Sequence, residues 1–396
     1  MATAAGCWLT DVHGRSHFDA TAGSGAVNLG HAHPAVIAAC ERQLRRTLHL
    51  GWNIAIDIRE DFARSLVAFS PIAEGQALFC VTGAEAIEAA LKIAHAATGR
   101  HWSAAFESGF HGKTAGALSV TWREGFRRYS ALRDTGTLFA ALADEDSAAA
   151  ALDALETSIA ARARESGPPA AIVVEPVQCA EGVFVAGSAF LKGLRRLADR
   201  IQAVLIFDEI YTGFGRTGRC FVAGDETCLP DLLVVGKALG NGIPVSAVLG
   251  SRDIMSVLPP GAHSSTFAAH PMACAAGRAV LKTMADTQPW HSAARLGAVL
   301  RHRLAGISRA SGRIGAPRGS GLMLAFECCD ADGQPDPAAA LSFLAEARAA
   351  RLVLRGGGRS GATIKLTPPL TMDDGECAFL ADTIATIADR LQDRHA

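Results

Sequence analysis

A lysine that follows a short apolar run is the residue whose type and position are best suited to covalent chemistry. Lys237 comes just after the apolar residues Leu232–Val235 and just before a glycine-rich turn. A lysine amine holds an aldehyde as an imine only if it is reachable and can lose its proton, which favours a strand end inside a cleft. Surface charge is the expected role of the lysines in or after helical patterns, Lys92, Lys192 and Lys282.

A carboxylate follows the preceding apolar run. The residues Val204–Phe207 end in Asp208 and Glu209. Such a pair can simply cap a helix or add surface charge. On a rigid strand end, a carboxylate can also keep a pyridine nitrogen protonated, and the charged ring then acts as an electron sink. With Lys237 at the end of the next predicted strand, we favour this second role for Asp208.

A third segment has the expected geometry of a phosphate site. Thr82, Gly83 and Ala84 stand where the predicted strand Ala77–Val81 becomes the predicted helix Ala84–Thr98. Backbone N–H groups at a helix N-terminus bind phosphate, and a hydroxyl adds a hydrogen bond worth about 1.5–3 kcal/mol. A Thr-Gly turn alone often does no more than cap its helix. Together the three segments fit a ligand with an aldehyde, a pyridine ring and a phosphate, which is pyridoxal 5'-phosphate.

One motif points misleadingly to a nucleotide. Residues Gly109–Thr114 read Gly-Phe-His-Gly-Lys-Thr, which resembles the phosphate-binding loop of nucleotide triphosphatases. That loop needs a glycine five places before its second glycine, and position 107 is Glu. We therefore expect no triphosphatase.

The composition is that of a soluble globular protein. The 396 residues are 49% hydrophobic and 19% charged, which provides apolar material for one or two compact domains. A net charge of -1 gives no broad attraction to nucleic acid or anionic lipid, so neither is expected as a partner. The sequence shows no signal-peptide pattern and no run of about 18 apolar residues that would span a membrane. The expected location is the cytoplasm.

The cysteines argue against disulfides and against a metal site. The chain has 10 cysteines, scattered through apolar or helical segments without a repeated Cys-x-x-Cys spacing. Free thiols in a reducing compartment are the expected state.

Short apolar runs alternate with Ala-rich segments of helical period, which is typical of an α/β sheet. Ligands bind at the carboxyl ends of such buried parallel strands. A change of pattern near Gln288 predicts a second, smaller domain, with a glycine-rich loop at Gly356–Gly361 and a strand at Ile364–Leu370. The other predicted strands are Ala77–Val81, Ser103–Phe106, Ile172–Glu175, Val204–Asp208, Leu232–Val235, Ser246–Gly250 and Leu322–Glu327. The other predicted helices are Ala84–Thr98, Ala186–Arg200, Trp290–Ser308 and Asp336–Arg351.

These segments together resemble the class III, or omega, aminotransferases of pyridoxal-phosphate fold type I, over nearly the whole chain. The most specific matches are Asp-Glu-Ile-Tyr-Thr-Gly-Phe-Gly-Arg-Thr-Gly (208–218), Gly-Lys-Ala-Leu-Gly-Asn-Gly-Ile-Pro (236–244) and His-Ser-Ser-Thr-Phe (263–267). Supporting matches lie at residues 28–34, 82–86, 110–114 and 174–178. The resemblance implies a large domain with a mostly parallel seven-stranded sheet at 46–285, an α+β small domain at 286–396, and an N-terminal segment, 1–45, that packs with the small domain.

The resemblance also implies roles for individual residues. Lys237 would carry the cofactor as a Schiff base and move the substrate proton, and Asp208 would pair with the pyridinium. The other implied cofactor contacts are Phe110 and Ile210 on the two ring faces, Thr82, Gly83 and Ala84 at the phosphate, and Glu175 and Tyr211 beside the ring. Thr266 would complete the phosphate site of a second subunit, so a homodimer with shared active sites is expected. The implied substrate contacts are Trp52, Lys113, Ser265 and Lys365.

The chain departs from the family pattern mainly where the substrate is recognised. Tyr211 stands where many members carry Gln, and residues 268–270 read Ala-Ala-His where Gly-Gly-Asn is usual. Lys113 and Lys365 stand where members often use Arg to bind carboxylates. Ala180 stands where glutamate-using members place a Glu that neutralises such an Arg, and Glu181 lies one residue further along.

Three functions remain open at this stage. The leading hypothesis is a ping-pong transfer of an amino group from a primary amine or omega-amino acid to a 2-oxo acid. An intramolecular aminomutase would keep Lys237 and Asp208 but need no acceptor. A catalytically silent binding protein of the same fold is disfavoured, because the chain keeps Lys237, Asp208 and Thr266.

Overall fold

The structure is a computed structural model that describes residues 1–51, 53–72, 74–130, 136–224 and 228–393. Its strands are β1 (Thr3–Ala5), β2 (Trp8–Thr10), β3 (Ser16–Asp19), β4 (Gly75–Cys80), β5 (Ser103–Phe106), β6 (Leu138–Ala140), β7 (Ala171–Val174), β8 (Val177–Gln178), β9 (Phe184–Val185), β10 (Val204–Asp208), β11 (Leu232–Val235), β12 (Ser246–Ser251), β13 (Arg318–Ser320), β14 (Met323–Glu327), β15 (Leu352–Val353), β16 (Arg355–Gly357) and β17 (Thr363–Leu366). Its helices are α1 (Ala22–Gly25), α2 (Pro34–Arg46), α3 (Asp57–Phe69), α4 (Gly83–Thr98), α5 (Ala115–Val120), α6 (Glu124–Arg127), α7 (Ala148–Ser166), α8 (Ser188–Ile201), α9 (Arg252–Met255), α10 (Pro271–Thr287), α11 (Trp290–Ser311), α12 (Pro337–Ala349) and α13 (Asp374–Asp393).

A seven-stranded sheet in the order β4-β12-β11-β10-β7-β5-β6 forms the centre of the described chain. Strands β11, β10, β7, β5 and β6 run parallel, and β12 runs antiparallel to both of its neighbours. Every residue of β7, β10 and β11 is buried, because helices cover both faces. The predicted α/β architecture is therefore confirmed. The parallel register brings Glu175, Asp208 and Lys237, which lie at or after neighbouring strand ends, to one edge of the sheet.

Most predicted elements match the structure closely. Strands β5, β10 and β11 have the predicted bounds, and α4 begins one residue earlier than expected. The loop prediction at 356–361 was wrong at its start, because Arg355–Gly357 forms β16 and pairs with β17. Strand β17 ends at Leu366, before Pro368 and Pro369, which have no N–H to donate. Lys282 was predicted to follow a helix, but it lies inside α10.

The N-terminal residues share a hydrophobic core with the C-terminal part of the chain. Strand β3 pairs with β15, and its Phe18 is fully buried in a cluster with Leu296, Phe326 and Leu380. A separate four-stranded sheet, β13-β14-β17-β16, lies in the same region. The central sheet has its own clusters, one of them around α4. The division at 1–45, 46–285 and 286–396 stays a prediction.

A buried arginine joins the two regions. Arg216 donates from Nη1 to the carbonyl oxygens of Leu322 and Pro368, at 2.9 and 2.6 Å, and from Nη2 to Oδ1 of Asn28 at 2.6 Å. Burial lowers its pKa to about 10. Breaking this set would leave an unpaired buried charge, so we expect Arg216 to fix how the segments meet.

Two further structural findings concern membranes and metals. Across the described ranges, no helix is both long and apolar enough to cross a bilayer. Among the same residues, no group of three or more His, Cys, Asp or Glu side chains is arranged to hold a metal ion.

Candidate active site

A cavity of about 690 Å³ opens at the carboxyl edge of the central sheet. It brings together residues that are far apart in the sequence but were predicted to share a site. Those that line it are Gly83, Ala84, Phe110, Lys113, Glu175, Asp208, Ile210, Tyr211, Lys237 and Lys365.

Lys237 begins a short 3₁₀ turn, Lys237–Gly240, directly beyond the end of β11. Its backbone φ is 44°, in the left-handed region that non-glycine residues rarely adopt. The ammonium nitrogen Nζ lies 4.0 Å from the ring centroid of Tyr211. Burial lowers the pKa of Lys237, against the opposing negative charge of Asp208. A lowered pKa gives the neutral amine that a nucleophile requires.

Asp208 ends β10 and is held in place by two hydrogen bonds. The ring of His111 donates from Nδ1 to Oδ2 at 2.8 Å, and the backbone N–H of Ile210 donates to Oδ1 at 3.1 Å. Burial would lower the pKa of His111, but the hydrogen bond and charge of Asp208, together with the charge of Glu175, raise it above its ordinary value. The imidazole therefore favours its charged form, which stabilises the Asp208 carboxylate.

Glu175 follows β7 and lies on the same side of the sheet. Its Oε1 accepts the backbone N–H of Phe110 at 2.7 Å, which fixes the loop that carries Phe110 and His111. Burial raises the pKa of Glu175 to about 7, with the charge of His111 opposing the rise and that of Asp208 adding to it.

The N-terminus of α4 faces the cavity through Gly83 and Ala84. Thr82 caps the helix by accepting the N–H of Glu85, and the Glu85 carboxylate accepts the N–H of Thr82 in return. The first N–H groups of a helix have no acceptor inside it, so those of Gly83 and Ala84 can bind an anion. A Cβ at Gly83 would approach Cδ1 of Ile210 to 2.8 Å, so a glycine suits this position.

Tyr211 fills the space beside Lys237. Its hydroxyl lies 3.2 Å from Oγ1 of Thr367, and burial raises the pKa of the phenol. A Cβ at Gly25 would overlap the Tyr211 ring, and Gly25 also has a φ of 78°. The chain therefore accommodates the tyrosine by keeping a glycine opposite it.

Besides Lys237, four lysine and arginine side chains line the cavity: Lys113, Arg123, Arg355 and Lys365. Lys365 is buried and donates from Nζ to the carbonyl oxygen of Ala180 at 3.0 Å. The Nζ of Lys113 lies 4.2 Å from the ring centroid of Phe126. Arg123 forms an ion pair with Glu181, which also lines the cavity.

Three of the predicted site residues do not line the cavity with the others, and a fourth is not described. Thr82 is exposed and serves as the cap of α4. Ser265 and Thr266 are not among the residues that line the cavity, and Thr266 is exposed. Trp52 lies outside the described residues.

Sequence reasoning missed several residues that line the cavity, among them His111 and Arg123. His111 lies within a motif that was quoted, but its contact with Asp208 joins positions 97 residues apart. Arg123 has no motif around it and meets Glu181 across 58 residues. The signal in the sequence was the position of Glu175 and Glu181, which follow the buried strands β7 and β8. A carboxylate that is buried there needs a cationic partner.

Comparison with known proteins agrees with this geometry. The family model described as Aminotransferase class-III matches residues 1–388. Acetylornithine aminotransferase of Methanopyrus kandleri is 34% identical over 387 residues, which cover 98% of this chain and 92% of that protein. The 5-aminovalerate aminotransferase DavT of Pseudomonas aeruginosa is 35% identical over 394 residues, covering 96% and 91%.

Solved structures give the same result. An amine transaminase from an uncultivated Pseudomonas species, in its PLP-bound form, superposes with a TM-score of 0.91 at 29% identity and covers 98% of this chain and 94% of that one. Ornithine aminotransferase from Toxoplasma gondii gives a TM-score of 0.88 at 29% identity, covering 99% and 90%. The chain therefore belongs to the class III aminotransferases, enzymes that use pyridoxal phosphate to move an amino group between an amine and a 2-oxo acid.

Proposed function

We propose that the aldehyde of pyridoxal phosphate is attached to Lys237 as a Schiff base, and that the donor is a primary amine or an omega-amino acid. The observation that carries this assignment is the convergence of the Lys237 amine, the Asp208 carboxylate and the N-terminus of α4 on one cavity. These are the three groups that the aldehyde, the ring nitrogen and the phosphate require.

Asp208, His111 and Lys237 line the cavity and fit the ring of the cofactor. Bound pyridoxal phosphate supplies an electron sink for the negative charge that builds on the substrate carbon. The two oxygens of Asp208 accept one hydrogen bond each, from His111 and from Ile210. A carboxylate can accept about four hydrogen bonds, so Asp208 can also accept one from a pyridinium N–H. His111 positions that carboxylate. The amine of Lys237 would move the proton of the substrate carbon.

The cavity walls fit the rest of the cofactor. Phe110 and Ile210 line the cavity and are proposed to pack on the two faces of the ring. The N–H groups of Gly83 and Ala84 are proposed to bind the phosphate, with Thr82 at the same turn. Tyr211 and Glu175 are proposed to lie beside the ring, where the Tyr211 hydroxyl keeps Thr367 as its partner.

An exposed apolar face supports a homodimer. Leu44, Leu48, Ile54 and Phe267 are each about half exposed, at 50%, 56%, 50% and 57%. The rings of His49 and Phe267 lie 5.2 Å apart, which brings the two segments of this face together. Apolar side chains grouped in this way mark an interaction surface. We propose that it is the dimer interface and that Ser265 and Thr266 contribute to the active site of the second subunit.

The cavity also bears on the substrate. Phe110 and Phe126 add apolar surface to its lining, whereas Lys113 and Lys365 add positive charge. The relatives are named for acetylornithine and 5-aminovalerate. We propose that the donor has an amine at one end of an apolar chain. We also propose that at least one of the two substrates, donor or acceptor, has a carboxylate. Trp52 is kept as a proposed donor contact.

The cytoplasm is the proposed location. Apart from Cys228, the cysteines of the described residues are free, and eight of these nine are buried, which suits a reducing compartment.

Replacing Lys237 tests the assignment. With an amine donor and no acceptor, the wild-type enzyme should convert its cofactor from the aldehyde to the amine form once, with a change in the absorption spectrum. We expect Lys237→Ala to lose this conversion and steady-state turnover, because the proton carrier is gone. The control Lys282→Ala removes an exposed lysine of α10 and should behave as wild type. A Lys237→Ala enzyme with wild-type turnover would refute the assignment.

The same measurement separates a transferase from an aminomutase. A transferase stops after one conversion when no acceptor is present, whereas a mutase continues to turn over its single substrate. We expect the transferase result.

A further inference from the structure

The ring of Tyr211 faces the amine of Lys237, and no role described above uses this contact. The Nζ of Lys237 lies 4.0 Å from the centroid of the Tyr211 ring. At that distance an ammonium is attracted by the electron-rich face of an aromatic ring, most strongly where water is excluded. Both side chains line the cavity at the carboxyl edge of the central sheet. The contact therefore involves the residue that is proposed to carry the cofactor.

The hydroxyl of Tyr211 is tied to the residue that follows β17. Oγ1 of Thr367 donates to the carbonyl oxygen of Thr21 at 3.1 Å, and the same Oγ1 lies 3.2 Å from the Tyr211 hydroxyl. A threonine hydroxyl has one proton, so Tyr211 is the donor to Thr367. The phenol keeps its proton, because burial raises its pKa. That proton is thus used within the chain and is not left for an oxygen of a bound cofactor.

The surrounding chain fixes the position of the ring. A Cβ at Gly25 would approach Cε1 of Tyr211 to 2.3 Å, so the ring packs directly on the backbone of Gly25. The ring also packs against an apolar cluster that includes Val177, Val183 and Met323. With its hydroxyl held as well, Tyr211 forms a rigid wall. Lysine, in contrast, has a flexible four-carbon stem and needs such a wall to keep its amine in one place.

The charged and titratable groups around Lys237 come from several elements. They are Asp208 at the end of β10, Glu175 after β7, Cys179 after β8 and Arg355 in β16. The two carboxylates act on Lys237 through their charge, and each is already held, Asp208 by His111 and Glu175 by a backbone N–H. The ring of Tyr211 is therefore the contact surface that fixes where the amine lies.

From this arrangement we infer that Tyr211 is a positioning residue for Lys237. The face of its ring holds the free amine in its ammonium form, and its hydroxyl fixes the ring instead of contacting the cofactor. This role rests on the proposed function, in which Lys237 is free whenever the cofactor is in its amine form. The sequence pattern marked Tyr211 only as a replacement for the usual Gln, and the contact with Lys237 gives that replacement a task.

The test changes the charge on the ring face while keeping the shape of the ring. Position 211 receives Phe, and then phenylalanine with one, two or three fluorine atoms, which weaken the negative face in steps. The pKa of Lys237 is measured in the full-length, cofactor-free enzyme from the pH dependence of its acetylation by trace acetic anhydride. Lys282, whose side chain is 77% exposed, is the internal reference.

We expect Tyr211→Phe to leave the Lys237 pKa near its wild-type value, because the ring face is kept. Three fluorine atoms should lower that pKa by about 1, because the ammonium loses its attraction to the ring; the ratio of neutral to charged amine then rises about tenfold. A Lys237 pKa that stays constant along the series would overturn the inference. A fall with Tyr211→Phe that fluorine does not extend would also overturn it, since the hydroxyl would then be the acting group.

The second tyrosine of the chain provides a matched control. Tyr129 is 79% exposed, and the same series at that position should leave the Lys237 pKa unchanged. An equal fall for both positions would mean that the ring at 211 has no specific effect.

A second readout uses enzyme loaded with pyridoxamine 5'-phosphate, in which Lys237 is free. Single-turnover conversion to the aldehyde form by 2-oxoglutarate should require the neutral amine of Lys237. The acid limb of its pH profile should therefore move to lower pH along the 211 series, by about as much as the Lys237 pKa. A falling Lys237 pKa without any conversion by the wild-type enzyme would support the inference and contradict the proposed function.

Discussion

At the scale of single residues, the site is built from groups whose charge depends on burial. Lys237 has a pKa lowered by burial, whereas burial raises the pKa of Glu175 to about 7. Asp208 is held by His111, which gives it a fixed position at the end of β10. The positive φ of Lys237 costs about 1–3 kcal/mol, which the packing around it must offset. Strain and displaced pKa values at one place are typical of functional sites.

Glu175 should make stability depend on pH. Its folded pKa of about 7 lies above its ordinary value of 4.5, so the folded enzyme binds this proton more tightly than the unfolded chain. The resulting stabilisation is complete below pH 4.5 and is lost as the pH rises through about 7. Gln at this position is neutral and can still accept the Phe110 N–H. Relative to wild type, Glu175→Gln should therefore gain at most about 3 kcal/mol between pH 5 and pH 8.

Denaturant unfolding of the cofactor-free enzyme at several pH values measures this effect. The control Glu165→Gln changes an exposed residue of α7 and should show a constant difference from wild type. A constant difference for Glu175→Gln as well would mean that its pKa is not raised in the folded enzyme.

Sequence reasoning could place the site residues that follow strands but not their side-chain partners. Asp208 and Lys237 each follow an apolar run, and the parallel sheet then puts them at one edge. The partners His111 and Arg123 lie on loops, where no periodicity marks a residue as facing the site. Their contacts depend on how distant loops meet, which a local pattern does not encode.

At the scale of elements, close backbone packing holds the C-terminal region against the central one. Helix α11 approaches the turn between β13 and β14 so closely that a Cβ at Gly297 would overlap the carbonyl oxygen of Gly321. A Cβ at Gly321 would in turn overlap the backbone of Thr217. These glycines let a helix, a hairpin and the loop that carries Arg216 come into contact.

Two glycines of α11 give opposite predictions for replacement by Ala. Gly297→Ala should be destabilising by about 1–3 kcal/mol, because a backbone atom has to move. Gly306→Ala should be stabilising by about 0.5–1 kcal/mol, because its Cβ would meet nothing within 4 Å and alanine favours a helix. Thermal unfolding midpoints of both variants, compared with wild type, measure the difference. Equal midpoints for the two variants would contradict the packing described.

The elements themselves were largely predictable, and the errors have physical causes. The buried strands are short apolar runs with clear ends, so β5, β10 and β11 had the predicted bounds. Strand β16 was missed because glycine-rich edge residues lack the side chains that mark a strand. Its hydrogen bonds to β17 are a property of the sheet and not of the segment alone.

At the scale of the whole molecule, we propose a homodimer in which each active site includes residues of both chains. Thr266 is exposed, does not line the cavity of its own chain, and is next in sequence to Phe267 of the apolar face. A residue in such a place can serve the site of a second copy. The proposed dimer follows the usual two-fold arrangement, in which one surface contacts its own copy.

Hybrid dimers test this sharing. We mix Lys237→Ala with Thr266→Ala, each expected to have little activity alone. After random exchange about a quarter of the sites should be intact, since one site of each hybrid collects both changes. Lys237→Ala mixed with Asp208→Asn is the control, because both changes affect the cavity of their own chain and cannot complement. No recovery in the first mixture, with subunit exchange shown by mass, would mean that Thr266 does not act across the interface.

The most direct test of the central claim is to find which lysine carries the cofactor. Borohydride reduction of the enzyme with bound pyridoxal phosphate makes the link permanent, and peptide mapping by mass spectrometry then locates it. We predict one modified peptide, with the added mass on Lys237. A label on Lys113, Lys365 or any other lysine, with Lys237 unmodified, would contradict the account of this active site.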